Sequence, residues 1–102
     1  MKLELSTLEG GNTRTIVVKG DVDMDSSPEL RDELKRALKG VTTLRLDLRG
    51  VGYIDSSGIA VLITGYRLAQ KSKAHFCLIE PSAQVKAVIE LSQLQSFFPI
   101  CT

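Results

Sequence analysis

Two short polar segments carry the residues that could do chemistry in this chain. One is the sequence G-D-V-D-M-D at 20–25, which contains Asp21, Asp23 and Asp25. The other is D-S-S-G at 55–58, in which two serines follow an acid. Clustered carboxylates can bind a divalent cation or cap a turn, and a serine at a helix start can cap the helix or carry a phosphate. These segments therefore point to metal binding, modification or docking.

The acidic segment is a poor match to a metal-binding loop. It lacks the glycine and the distal glutamate of a calcium loop. We interpret its three acids as turn and capping residues on a wet loop, which is compatible with docking a partner. No metal or other cofactor is expected.

Catalysis by this chain is disfavoured because no nucleophile and base can be paired. Residues 52–58 contain no G-x-S-x-G elbow. His75 is the single histidine and opens a strand predicted to begin at the opposite edge of the sheet. Gly50 and Gly52 lack the lysine and the spacing of a phosphate-binding loop. We predict that the chain is not an enzyme and that His75 is a strand-entry residue.

Ser56 and Ser57 lie where a helix is predicted to begin, and two interpretations follow. In the first, one of these serines is the N-cap and accepts a hydrogen bond from the backbone. In the second, one of them is phosphorylated, and free N–H groups with the positive end of the helix dipole hold the phosphate. The phosphate would bring about 1.5 to 2 negative charges beside Asp55 and Asp23.

The first half of the chain predicts a hairpin, a helix and a further strand. Alternating and β-branched residues predict the hairpin strands over 2–9 and 13–20. The sequence S-S-P-E at 26–29 combines a capping box with a proline in the first helical turn, and Gly40 supplies the helix stop. Three leucines within 44–48 alternate with charged residues and predict the next strand.

The second half predicts two more helices and two more strands. Residues 58–72 form a helix whose apolar first half is buried, and the short apolar run 76–79 is typical of a central strand. A third helix begins at 81–82, and 97–100 is a candidate last strand. The order ββαβαβαβ predicts one α/β domain over 1–102, with a mixed, mostly parallel sheet of four to five strands and three to four helices. The first strand should run antiparallel at one side.

Composition narrows the classes of function. The chain has 102 residues, 43% of them hydrophobic and 25% charged, with a formal net charge of +1. This balance is typical of a soluble globular domain and offers no strong field for nucleic acid or an anionic membrane. No stretch approaches the roughly 18 apolar residues of a membrane span, so we expect a cytoplasmic protein.

The two cysteines, Cys77 and Cys101, lack C-x-x-C spacing. Neither a disulfide framework nor a zinc site is indicated by that pattern. We expect both to be small apolar packing residues.

Four segments together resemble a STAS domain, the fold shared by anti-sigma factor antagonists and sulfate-transporter tails. The D-S-S-G helix start with its following apolar run is the most specific of them, and the resemblance covers nearly the whole chain. The segments are G-D-V-D at 20–23, L-D-L at 46–48, Y-I-D-S-S-G-I at 53–59 and L-S-Q-L at 91–94.

The resemblance implies a switch in partner binding. The unmodified protein would bind a serine kinase that is also an anti-sigma factor and thereby free a sigma factor. Phosphorylation of Ser56 by that kinase would break the complex, and a metal-dependent phosphatase would reset it. The expected partner-binding residues around Ser56 are Asp21, Asp23, Asp55, Ser57 and Gly58.

A second role is also compatible with the resemblance. Related domains serve as unmodified adaptors in transport assemblies, such as the ATPase partner of a lipid-transport ABC complex. Pairing into a homodimer fits either role. The sequence departs from the family pattern at Ala60 and Gln93, where relatives often have glycine, and neither change blocks docking. A last helix that many relatives carry is not expected after Ile100.

Overall fold

The computed structural model describes residues 3–101, in which an N-terminal hairpin is followed by alternating helices and strands. Lys2, where the first predicted strand begins, lies outside the described residues. The strands are β1 (Glu4–Gly10), β2 (Thr13–Val22), β3 (Thr43–Ile54) and β4 (His75–Ile79), and the helices are α1 (Ser27–Ala37), α2 (Ser56–Lys71) and α3 (Ala83–Leu91).

The four strands form one mixed sheet in the order β1-β2-β3-β4. β1 runs antiparallel to β2, while β2, β3 and β4 are parallel. A short turn can join antiparallel strands, whereas parallel neighbours need a crossover, which α1 and α2 provide. The predicted mixed α/β domain with an antiparallel first strand is confirmed.

The predicted central position of the strand at 76–79 is wrong, because β4 lies at the edge of the four-stranded sheet. Its outer side is covered by the C-terminal segment instead of a full strand. The Leu78 N–H donates to the Pro99 carbonyl at 2.9 Å, and the Cys101 N–H donates to the Leu78 carbonyl at 2.8 Å. The predicted last strand is therefore reduced to one parallel bridge between Leu78 and Ile100.

The prediction for the two cysteines is also wrong, since Cys77 and Cys101 form a disulfide. Their Cα atoms are 5.1 Å apart, within the range that a disulfide can span. The parallel bridge between Leu78 and Ile100 brings the two cysteines together on one side of the sheet. This proximity depends on the C-terminal segment returning to β4, which cysteine spacing along the chain does not indicate.

The helices and one face of the sheet enclose a single hydrophobic core. The alternating leucines of β3 point into it as predicted. The same core receives apolar residues from every helix, among them Leu34 of α1, Leu62 of α2 and Ile89 of α3. Within residues 3–101, no helix is long and apolar enough to cross a bilayer.

β2 and β3 are longer than predicted at their carboxyl ends. Residues 21–22 and 50–54 lie beyond the predicted strands, but they join the sheet, with Asp21 paired to Tyr53 and Val22 to Ile54. Two register shifts in β2 absorb the irregularity, and Gly20 has a φ of 104°, which favours glycine. Parallel pairing therefore satisfies the backbone hydrogen bonds of these residues, although their glycine content suggests a loop.

Candidate functional site

The site lies where β2 and β3 end and where α1 and α2 begin. Both strands end at the same edge of the sheet because they are parallel and paired through Val22 and Ile54. The Asp55 N–H donates to the Val22 carbonyl at 3.2 Å, so the two strand ends are joined directly. The two polar segments singled out from the sequence are thus brought together, as expected for an open parallel sheet.

Asp55 is the N-cap of α2, so the first of the two interpretations, in which a serine caps this helix, is wrong. The Oδ1 atom of Asp55 accepts hydrogen bonds from the N–H groups of Ser57 at 2.9 Å and Gly58 at 3.2 Å. It also accepts the Ser57 hydroxyl at 2.5 Å. The helix begins two residues earlier than predicted, at Ser56. A carboxylate suits this position because it also interacts favourably with the positive end of the helix.

These hydrogen bonds keep Asp55 charged. The hydroxyl of Ser57 lowers the pKa of the Asp55 carboxyl most strongly, burial opposes it as the next-largest effect, and the backbone N–H groups of Gly58, Ser57 and Met24 each lower it by less. Met24 belongs to the acidic segment that follows β2. Asp55 therefore links both segments through its carboxylate as well as through its backbone.

The acidic segment is organised by Asp23. Its Oδ1 atom accepts the N–H groups of Asp25 and Ser26, each at 3.0 Å, which is the turn role predicted for an acid here. Ser26 occupies the N-cap position of α1 but makes no side-chain capping bond, so the predicted capping box is wrong. Its hydroxyl instead donates to the Asp21 carbonyl at 2.8 Å, which closes the turn.

The two serines of the helix start differ in environment. Ser56, the first residue of α2, is exposed, and within residues 3–101 its hydroxyl makes no side-chain hydrogen bond. Ser57 is half-buried and its hydroxyl is bonded to Asp55. The structure thus separates a hydroxyl that is accessible from one that has a structural partner.

Gly58 lies beneath the site and allows α2 to approach the strands closely. A Cβ atom at this position would lie 2.5 Å from Cγ1 of Ile54 and 2.8 Å from the carbonyl oxygen of Val22. Neither neighbour can move freely, since both belong to the buried ends of β2 and β3. The structure therefore explains the glycine by packing, and its contact with a partner stays a prediction.

Two exposed apolar residues, which were not predicted as site residues, lie next to these polar groups. Met24 is 75% exposed and Tyr53 is 46% exposed. Tyr53 pairs with Asp21 across the two strand ends, and Met24 follows Asp23 in the turn. The sequence signal that could have identified Met24 is its position between two acids. An exposed apolar residue there is better suited to contact with a partner than to contact with solvent.

A third element supports the strand end that precedes Asp55. The Ile54 N–H donates to Oε1 of Gln84 at 2.8 Å, and the Ser82 hydroxyl donates to the Val51 carbonyl at 2.7 Å. Ser82 is also the N-cap of α3, which confirms the predicted start of that helix. Gln84 was not identified from the sequence, because its contact spans thirty residues of chain.

His75 does not take part in the site. It is the first residue of β4 and lies at the end of the sheet opposite the helix start, as predicted. Among residues 3–101, no three His, Cys, Asp or Glu side chains are arranged to hold a metal ion. The arrangement is an exposed serine beside charged and apolar surface residues, which suits recognition by another protein.

This fold, with a D-S-S-G helix start at the carboxyl edge of its sheet, is that of a STAS domain. The family model described as "Mlab, STAS domain" matches residues 6–99, so the chain belongs to this family. The resemblance predicted from the sequence is therefore confirmed.

Similar proteins include anti-sigma factor antagonists. The chain is 23% identical over 100 residues to the "Anti-sigma-B factor antagonist" of Bacillus subtilis (strain 168), covering 98% of this chain and 92% of that protein. An anti-sigma factor antagonist crystal structure from Mycobacterium paratuberculosis superposes with a TM-score of 0.87 at 21% identity, over 97% of this chain and 85% of the other. The structure of the Bacillus cell fate determinant SpoIIAA in its phosphorylated form superposes with a TM-score of 0.73 at 21% identity. The match covers 99% of this chain and 92% of that chain.

Proposed function

We propose that this protein is an anti-sigma factor antagonist whose binding to an anti-sigma factor is switched off by phosphorylation of Ser56. The observation that carries the proposal is the exposed Ser56 hydroxyl at the start of α2, directly beside the Asp55 carboxylate. The names of the similar proteins support the antagonist role, and one of them has a phosphorylated form.

Electrostatics explain how a phosphate at Ser56 would act. The N–H groups of Ser57 and Gly58, which could otherwise hold a phosphate, already donate to Asp55. A phosphate would therefore add its charge of about −1.5 to −2 next to an ionised carboxylate, with little compensation from the backbone. A partner that docks here would have to desolvate the phosphate and the Asp55 carboxylate together, and these like charges oppose docking. Modification would therefore release the partner without unfolding the helix.

The same surface offers the contacts that an unmodified protein needs. Met24 and Tyr53 supply exposed apolar area, which is typical of interface centres. The carboxylates of Asp23 and Asp55 lie at its polar border, and Asp21 and Ser57 complete the expected partner-binding surface. A partner that docks here would place its catalytic groups over Ser56.

The partner would be a serine kinase that is also the anti-sigma factor, and a metal-dependent phosphatase would reverse the modification. This chain acts as a binding switch and substrate, not as an enzyme, and ATP belongs to the kinase. The protein would work in the cytoplasm. Because thiols are kept reduced there, Cys77 and Cys101 would exist as a dithiol in the cell.

Phosphorylation with the cognate kinase tests the site directly. The wild type should gain one phosphate from ATP, and Ser56→Ala should gain none. Ser57→Ala is the matched control and should still be modified, because the Ser57 hydroxyl is held by Asp55. Ser56→Asp should weaken binding to the kinase in a pull-down. Phosphate on Ser56→Ala at the wild-type level would contradict the assignment.

Affinity purification from the native cell separates the switch from the adaptor alternative. Recovery of a small serine kinase, with Ser56 phosphate detected by mass spectrometry, would support the proposal. Recovery of an ATPase and a permease with unmodified Ser56 would favour a constitutive adaptor of a transport complex.

A further inference from the structure

The face of the sheet opposite the helices forms an open groove. It has a volume of about 610 Å³ and is lined only by strand residues, drawn from all four strands. Leu8, Val17 and Ile79 supply its apolar surface, and Leu8 is 60% exposed. The Ser56 site belongs to the edge where the helices begin, so this groove is a separate surface.

The charged residues of the groove are unbalanced. Of the described residues, the cations Lys19, Arg45 and Arg49 line it together with one carboxylate, Asp47. The lining therefore carries two more cations than carboxylates, while outside it Glu4 lies opposite Lys19 in the strand pairing and Glu80 is 3.9 Å from Arg49. Such an excess of cations attracts an anionic ligand when the cations are not neutralised from within the protein.

Asp47 is fully engaged by one of these cations. Its Oδ1 atom accepts the backbone N–H and Nε of Arg49, both at 3.1 Å, and Oδ2 accepts Nη2 at 2.6 Å. Asp47 is only 4% exposed, and the hydrogen bonds from Arg49 lower the pKa of its carboxyl. The carboxylate therefore neutralises Arg49 and has little remaining capacity for a second guanidinium.

Arg45 and Lys19 are left as the available cations. Arg45 is half-buried, and within the described residues 3–101 no carboxylate lies within salt-bridge distance of its guanidinium. Lys19 is exposed and is near enough to contribute to the low pKa of Asp47, without a direct ion pair among the same residues. A half-buried, unpaired guanidinium gains most from a carboxylate brought by a ligand, because arginine can bind it through two parallel hydrogen bonds.

We propose that this groove is a second docking surface, which binds an acidic, partly apolar segment of a partner protein. Carboxylates of that segment pair with Arg45 and Lys19, while its apolar side chains cover Val17 and Ile79. The groove is open along the sheet, which suits an extended chain better than an enclosed small molecule. Among residues 3–101, its lining contains no aromatic residue on which a base could stack, which argues against nucleic acid.

A labelled peptide tests the charge requirement. The probe is a short fluorescein-labelled peptide in which glutamate alternates with valine, and its control has lysine in place of glutamate. Fluorescence anisotropy should show binding of the acidic peptide alone. Arg45→Gln should weaken that binding about tenfold, as should Lys19→Glu. Arg67→Gln, an exposed cation on α2, should leave it unchanged.

The location is checked by NMR, since backbone amides of residues 15–19 and 45–49 should shift during the titration. Ser56→Asp should bind the peptide as the wild type does, so this result is independent of the switch proposed above. If Arg45→Gln does not fold, Lys19→Glu decides the question. The proposal is overturned if the acidic peptide fails to bind, if Lys19→Glu or a folded Arg45→Gln leaves its affinity unchanged, or if a labelled single-stranded DNA binds more tightly.

Discussion

The hydroxyl of Ser57 donates to the carboxylate of Asp55 at 2.5 Å, and this bond gives the two neighbouring serines different roles. Ser57 becomes part of the helix cap, while Ser56 stays exposed at the first position of α2. The backbone of Met24, in the acidic segment, is near enough to help lower the pKa of the same carboxyl. Asp55 thus lies at the junction of the two polar segments, 20–25 and 55–58, on which the proposed switch depends.

Removing the cap should destabilise the protein. We expect Asp55→Ala to lower the free energy of unfolding by about 1 kcal/mol, because the N–H groups of Ser57 and Gly58 lose their acceptor. Asp55→Asn is the matched control and should retain most of the stability, since asparagine caps helices as well as aspartate does. Urea denaturation followed by circular dichroism measures both. Equal loss in the two variants would show that charge, and not capping, matters here.

The pKa of Asp55 should depend on Ser57. Ser57→Ala removes the largest cause of the lowered pKa, so the pKa of Asp55 should rise toward its ordinary value of 3.8. A lowered folded-state pKa contributes stability that is present above the unfolded-state pKa and is lost as the pH falls through the folded-state pKa. The stability difference between wild type and Ser57→Ala should therefore shrink as the pH falls from about 5 through the lowered pKa of Asp55.

NMR titration of the Asp55 carboxyl carbon, together with urea denaturation at each pH, checks this expectation. Ser56→Ala is the control, because within residues 3–101 its hydroxyl makes no side-chain hydrogen bond to Asp55. An Asp55 pKa that moves in Ser56→Ala and stays fixed in Ser57→Ala would contradict the hydrogen-bond assignment.

Adding a methyl group under the site should be costly. Gly58→Ala places a Cβ atom against Ile54 and the carbonyl of Val22 at distances that require the backbone to move. We expect a loss of about 1 to 3 kcal/mol in the free energy of unfolding. Gly52→Ala is a suitable control, because a Cβ atom there has no neighbour within 4 Å among the described residues. Comparable stability of the two variants would argue against the close approach of α2.

The disulfide should stabilise the oxidised protein. Cys77 and Cys101 are 24 positions apart in the sequence. Closing a loop of this length lowers the conformational entropy of the unfolded chain, which raises the free energy of unfolding by about 3 kcal/mol. Chemical denaturation with and without a dithiol reductant measures the difference. Cys101→Ser should show no effect of the reductant. A wild type that is equally stable in both conditions would contradict a stabilising bond.

Much of the fold was predictable because it depends on local patterns. Alternating leucines identified β3, and the apolar run after D-S-S-G identified the buried half of α2. The motif also located the helix start that contains Ser56. These inferences succeed because strand alternation and helix initiation are properties of neighbouring residues.

The remaining features depend on segments that are distant in the chain. A serine cap was one of two interpretations of the local pattern, yet Asp55 is the cap, and its N–H meets the Val22 carbonyl only because β2 and β3 pair. Gln84 contacts Ile54 from across thirty residues, and no local pattern marks that contact. The edge position of β4 likewise depends on where the C-terminal segment returns.

The sequence by itself determined the α/β class, the STAS family and the location of the serine pair, since periodicity and a contiguous motif encode them. Tertiary structure alone decided which serine is accessible, which acid caps the helix, that Cys77 meets Cys101, and that Arg45 lacks a carboxylate partner within residues 3–101. The physical reason is that each of these depends on distances between side chains from different elements, and only packing sets such distances.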